Sequence, residues 1–222
     1  MTCYRGIYSR GQRTRGVDAD LSRLLDAPSP DGDSMSLDCL HAELTTILLA
    51  GADTIATSSC AIIIYILQSP TAVAKLWSEY RDARELGLVS PIPQQAEVLE
   101  HCPYYVACVK ESMRICPSVQ SIFPREVKSD QTLVLEGNKI PPRTEVACNP
   151  WITHRDTQIY GVDADIWRPE RWLENDGESG RVLEKYNLGL GYGSRICLGR
   201  DLGMMELFKF PLMVRIPLEK EN

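Results

Sequence analysis

The chain has 222 residues, of which 44% are hydrophobic and 24% charged, with a formal net charge of −6. That length is enough for one or two ordinary domains with a real core, and the acidic balance argues against a nucleic-acid partner. The eight cysteines form no C-x-x-C pair and have no histidine at zinc-finger spacing, which argues against a structural zinc site. With no secretory signal at its start, the chain is expected to keep reduced thiols on the cytosolic side.

In chain order, residues 1–33 mix Arg, Gly, Ser, Pro and Asp without periodicity and read as a flexible tail or loop. A long helix is expected from Ser36 to Gln68. Its stretch 44–67 is apolar enough to raise the question of a membrane span. Gly51, Asp53, Ser58 and Ser59 interrupt that stretch, so a long buried helix with a functional break is the reading adopted. Ser69-Pro70 opens a second helix as N-cap and first turn, which fades near Gly87. A third begins at Pro103 and stops at Pro117. From Ser121 to Cys148 short Val/Ile/Thr-rich stretches, separated by Gly137-Asn138 and Pro141-Pro142, predict a small antiparallel sheet. Residues 149–196 read as mostly irregular, and a last helix is expected to end before Pro211. The fold class is therefore mainly α with a small antiparallel β-sheet.

Four short constellations carry possible chemistry. Gly191-Tyr-Gly-Ser-Arg-Ile-Cys-Leu-Gly199 presents Cys197 between Gly193 and Gly199, with Arg195 two residues before it and a helical run after it. A thiolate so placed can bind haem iron, the glycines leave room for a flat macrocycle, and an arginine can reach a propionate. The alternative is an ordinary buried thiol. Ala50-Gly51-Ala52-Asp53-Thr54 sets a carboxylate and a hydroxyl, both able to pass protons, beside small residues on the long helix; alone it is only a helix with a flaw. Glu111 and Arg114 share a helix face at i, i+3. About one E-x-x-R is expected by chance at this composition, and Glu178–Arg181 is a second. The first lies in an apolar helix, where paired charges need a reason; the second is read as part of a solvated loop. Finally, Trp167-Arg-Pro-Glu-Arg-Trp172 is a short motif whose meaning comes only from a family resemblance.

Taken in this order, the constellations resemble the cytochrome P-450 family of haem-thiolate monooxygenases, whose cysteine loop reads F-x-x-G-x-R-x-C-x-G. The agreement runs from about residue 34 to residue 210, is closest to fungal members, and implies the C-terminal part of a P-450 domain followed by a divergent tail, 211–222. One position departs: Leu190 stands where the family has an aromatic ring beside the sulfur.

The resemblance implies that Cys197 is the axial ligand of haem iron and that Arg195 and Arg125 (in Phe123-Pro124-Arg125) bind its propionates. It implies that Thr54 hydrogen-bonds dioxygen at the iron while Asp53 links it to solvent protons. Glu111, Arg114 and Arg171 become a structural triad, and His154, in Thr153-His154-Arg155-Asp156, a structural histidine rather than a ligand. The implied activity inserts one oxygen atom of O2 into a small organic substrate, in secondary metabolism, with electrons from an NADPH-cytochrome reductase at the cytosolic face of the endoplasmic reticulum. The chain reads as the second half of such a protein, without anchor, distal helices or the W-x-x-x-R element; without an anchor it would be cytosolic as it stands. The competing expectation is a truncated, inactive remnant that does not hold haem stably.

Overall fold

The computed structural model describes residues 36–121 and 123–213. The expected tail 1–33 and the residues after 213 lie outside them. The chain divides into two compact units, residues 1–52 and 53–222. The described part of the first is the beginning of helix α1 (Leu37–Leu67); everything below concerns the second unit unless stated.

Helix α1 has no proline inside it and runs without a break through Gly51, whose cost of about 1 kcal/mol a helix of this length absorbs. The expected break is absent. The helix is not deeply buried either: Ser58, Ser59, Ala61, Ile62 and Ile66 are covered, whereas Leu48, Leu49 and Ile64 are exposed. It carries more apolar positions than one packed face can cover. By length and composition alone it is long enough to cross a membrane.

Helix α2 (Pro70–Glu85) starts as its sequence predicts, with the Ser69 hydroxyl accepting from the Ala72 N–H at 3.3 Å and Pro70 in the first turn. Helix α3 (Gln95–His101) has no counterpart among the elements expected from sequence. The Glu97 carboxylate holds its start by accepting from the N–H groups of Gln94 at 2.9 Å and Ser90 at 3.0 Å. Helix α4 (Pro103–Ile115) follows after a single residue, Cys102. Glu79 of α2 caps it from outside, accepting from the Tyr104 and Tyr105 N–H groups at 2.8 and 3.0 Å. Burial pushes the Glu79 carboxyl above its ordinary pKa against the pull of those two bonds.

Helix α4 is the centre of the unit, with Tyr104, Tyr105, Ala107–Val109 and Glu111–Ile115 all buried. One apolar cluster joins its Tyr105 and Val109 to Ile62 and Ile66 of α1, Leu76 of α2, Val98 of α3, and Leu207, Phe208 and Leu212 near the chain's end. A second joins Ala107 to Tyr160, Ala164, Trp172 and Leu183.

The strands form two separate antiparallel pairs rather than one sheet. β1 (Arg125–Glu126) pairs with β4 (Glu145–Val146), Arg125 opposite Val146. β2 (Leu133–Leu135) pairs with β3 (Asn138–Ile140), Leu133 opposite Ile140. The hairpin turn sits one residue earlier than expected, at Glu136 (φ 46°) and Gly137 (φ 80°); positive φ at both central residues is the two-residue turn whose twist matches the strands.

Residues 149–196 are less irregular than expected. They hold α5 (Pro150–Thr153), α6 (Thr157–Tyr160), a 3-10 turn at Pro169–Trp172, α7 (Glu178–Glu184) and a 3-10 turn at Gly193–Arg195. Asn149 and Asp156 cap α5 and α6 through their side chains, signals that short elements hide among turn residues. The second E-x-x-R pair is thus helical, on α7, though fully solvated as expected: Arg181 and Glu178 are 80% and 66% exposed.

The last helix, α8 (Arg200–Met213), does not stop before Pro211 but carries it inside. A proline there has no N–H for the Leu207 carbonyl. The Tyr105 hydroxyl of α4 donates to that carbonyl instead, at 2.8 Å. The expected boundary between residues 210 and 211 therefore falls within a helix.

Candidate active site

Glu111 and Arg114 lie one turn apart on α4, and the 3-10 turn at Pro169–Trp172 delivers Arg171 to the same carboxylate. All three are essentially sealed from solvent. Arg114 Nη2 and Nε donate to Glu111 Oε1 and Oε2, both at 2.8 Å, a two-point pairing. Arg171 Nε donates to Oε1 at 2.9 Å. The Arg168 N–H at 2.9 Å and the Trp172 indole N–H at 2.9 Å complete the carboxylate. The guanidiniums use their other donors on carbonyls: Arg114 on His154, Ala164 and Ile166, and Arg171 on Tyr160, Asp163 and Ile166. Asp163 Oδ1 adds a second carboxylate 3.2 Å from Arg171, balancing the two guanidiniums. Burial pushes Asp163 upward, but bonds from Arg168 and Arg171 outweigh it and leave its carboxyl below the usual range. With every donor and acceptor used, this cluster holds the chain together and has nothing left over for chemistry.

His154 lies directly behind it. The Leu188 N–H donates to Nε2 at 2.9 Å, and Nδ1 stands 3.0 Å from the Arg114 carbonyl. An acceptor at Nε2 fixes the proton on Nδ1. Burial holds the ring's pKa down at about 4, against the hydrogen bond to Arg114. This is a neutral structural histidine, as its sequence context implies.

The Cys197 loop closes on itself. The Cys197 N–H donates to the Leu190 carbonyl at 2.8 Å and the Gly191 N–H to the Leu188 carbonyl at 2.9 Å, while Arg200, the first residue of α8, donates to the Cys197 carbonyl at 3.3 Å. Helix α8 thus begins two residues later than the helical run after Cys197 suggests. Cys197 and Arg195 are exposed. Gly193 needs its positive φ of 69°, but Gly199 has no such need, and a Cβ at either would meet nothing within 4 Å. Leu190 packs its side chain against the main apolar cluster, so the substitution keeps the loop anchored.

Thr54 is half-buried and Asp53 exposed on α1. Next to them, Ile55 Cδ1 would lie 3.1 Å from a Cβ at Gly203, so the glycine lets α1 approach α8 six residues beyond Cys197. That contact, which brings the Thr54 stretch to the start of the cysteine helix, has no signal in the sequence beyond one more glycine. Asp163 and Trp172, completing the buried cluster, are equally invisible there. Arg125 lies on β1, exposed, its guanidinium donating to the Phe123 and Pro124 carbonyls at 3.1 and 3.2 Å. Among the described residues no hydrogen bond joins it to the cysteine loop.

Comparison with known proteins places this arrangement. Residues 10–214 match the family model for cytochrome P-450, and the chain belongs to that family. It is 35% identical over 205 residues to quiannulatic acid synthase of Emericella variicolor, covering 89% of this chain and 40% of that protein. It is 37% identical over 189 residues to the cytochrome P-450 monooxygenase cicH of Emericella nidulans, covering 85% and 37%. The fold is shared with the retinoic acid-bound cyanobacterial CYP120A1, at a TM-score of 0.72 and 23% identity, over 91% of this chain and 44% of that one. The chain therefore spans about two fifths of the length of the relatives it matches.

Proposed function

We propose that this chain is the haem-binding and oxygen-activating part of a monooxygenase acting on a small organic molecule, with Cys197 as the thiolate that would hold the haem iron. The observation that carries this reading is the exposed Cys197 on a self-closed loop at the start of α8, beside a Gly199 that nothing in the fold requires. The residues present fit haem: a sulfur donor faces outward, a flat group has room against Gly193 and Gly199, and Arg195 stands within the same loop as a propionate partner, with Arg125 as the second. When bound, the haem supplies the redox chemistry that activates O2.

The protein's own residues hold and supply around it. Cys197 would bind through sulfur, with the Leu190 carbonyl fixing its backbone. The Thr54 hydroxyl would supply and relay a proton, and Asp53, exposed, would exchange that proton with water. Glu111, Arg114 and Arg171 brace the loop's support rather than react. An NADPH-cytochrome reductase is the proposed electron donor, and the cytosolic face of the endoplasmic reticulum membrane the proposed location; the length and apolar composition of α1 are compatible with a membrane. The names of the fungal relatives support a place in secondary metabolism. A second reading, an inactive remnant that does not hold haem, is favoured by the exposed apolar residues of α1.

The test is Cys197→Ser in chain reconstituted with haem. The parent should show the red-shifted ferrous–CO band of thiolate ligation and the variant should lose it. A band retained in the variant assigns the iron to another ligand; no haem uptake by the parent favours the remnant.

A further inference from the structure

We infer that His154 is the positioning residue that sets the register of the Cys197 loop against helix α4. This rests on the reading of Cys197 as the ligand.

The argument starts at the end of α4. The helix stops at Ile115, so its last carbonyls have no donor from a following turn. The Arg114 carbonyl takes its donor from His154 Nδ1, 3.0 Å away. The exchange is reciprocal, because the Arg114 guanidinium donates back to the His154 carbonyl. The opposite edge of the same ring accepts the Leu188 N–H at 2.9 Å. Two residues on, the Leu190 carbonyl receives the Cys197 N–H at 2.8 Å. The backbone of the proposed ligand is therefore two hydrogen bonds from the ring and three from α4.

A histidine that merely fills the core has no need of this pattern. Only a neutral imidazole presents a donor and an acceptor on opposite edges of one rigid plane; an amide carries both on one carbon, and an aromatic hydrocarbon neither. The charged groups that face the ring, Arg114 and Arg155, are both cations and oppose its protonation. Tyr160 stands edge-on at 6.4 Å and closes the remaining side. Gly189, the next residue, also lies beside the ring: a Cβ there would stand 3.7 Å from its Cε1, at ordinary van der Waals contact. His154 thus converts the position of Arg114, locked by the Glu111 cluster, into the position of the cysteine loop.

The experiment is amide hydrogen exchange on the whole chain, without haem and in mild detergent, comparing the parent with His154→Phe, which keeps a ring of similar size. Peptides covering residues 188–197 should exchange at least about tenfold faster in the variant, while peptides within 105–113 stay unchanged. Equal acceleration in both regions, or none in the loop, overturns the inference. Should the Phe variant not fold, nitrogen NMR of the parent decides: an unprotonated, hydrogen-bonded Nε2 supports it, and a proton on Nε2 overturns it. Because no arm contains haem, failure here is distinct from a failure of Cys197 to bind iron.

Discussion

Glu111 accepts five hydrogen bonds from four residues in a place that water does not reach. Glu111→Ala strands two guanidiniums in the interior, which costs about 3–5 kcal/mol, a large share of what a domain of this size has. The denaturant midpoint and the yield of folded protein should both collapse; a variant that folds normally would show the cluster to be dispensable. Sequence exposes part of this unit. Glu111 and Arg114 are readable because paired charges on an apolar helix demand an explanation, whereas Arg171 is reached only through the family resemblance of the Pro169-Glu170-Arg171-Trp172 element. Asp163 and the Trp172 indole are not readable, since nothing local distinguishes an acid or a tryptophan that meets its partner across a loop. His154 brings a pH dependence. Its folded pKa of about 4 lies below the ordinary 6.5, so the unfolded chain takes up a proton that the folded chain refuses. Its share of stability is complete above the ordinary value and falls as pH drops through the window between the two, by about 2 kcal/mol at about pH 5. Unfolding free energies from urea titrations at neutral pH and at about pH 5 should differ by that amount more in the parent than in His154→Phe.

At the scale of elements, α8 shows how a terminating residue can be overridden. Proline ends helices because it leaves the carbonyl four residues back without a donor; here the Tyr105 hydroxyl supplies one to Leu207. Tyr105→Phe should cost about 1–3 kcal/mol by leaving that buried carbonyl unpaired. In a Pro211→Ala background the same change should cost distinctly less, because the substituted residue would carry its own N–H. Equal costs in both backgrounds would mean the hydroxyl is not a substitute for the missing donor. The same logic separates the helices that are readable from those that are not. α2 and α4 announce themselves with a proline in the first turn and long apolar periodicity. α3 is seven residues wedged between Pro93 and Cys102, started by a glutamate that looks like any surface acid, and so leaves no pattern long enough to read. The strands are legible as extended segments, but their partition into two pairs depends on tertiary placement.

At the scale of the whole molecule, the described surface carries several exposed large apolar side chains. Leu48, Leu49, Ile64, Tyr192, Leu198, Leu202 and Phe210 are all at least half exposed. Surfaces of this kind drive association with membranes, partners or copies of the same chain. Sedimentation of the 222-residue chain should show oligomers that dissociate in mild detergent, together with strong binding of an apolar dye. A dye-silent monomer would show that these side chains find cover within the chain.

The three ties that hold the cysteine loop differ greatly in how far apart their ends lie along the chain, and this sets an order in time as the chain leaves the ribosome. The Glu111–Arg171 contact spans 60 residues and the His154–Leu188 contact 34, but Tyr105–Leu207 spans 102. Synthesis proceeds at about 5–20 residues per second. The partners of the carboxylate cluster therefore emerge first, those of the histidine clamp about 1–3 seconds later, and those of the tyrosine latch last. Two of the three ties thus have both partners ahead of Cys197 in the order of synthesis, and the third, through Leu207, closes behind it.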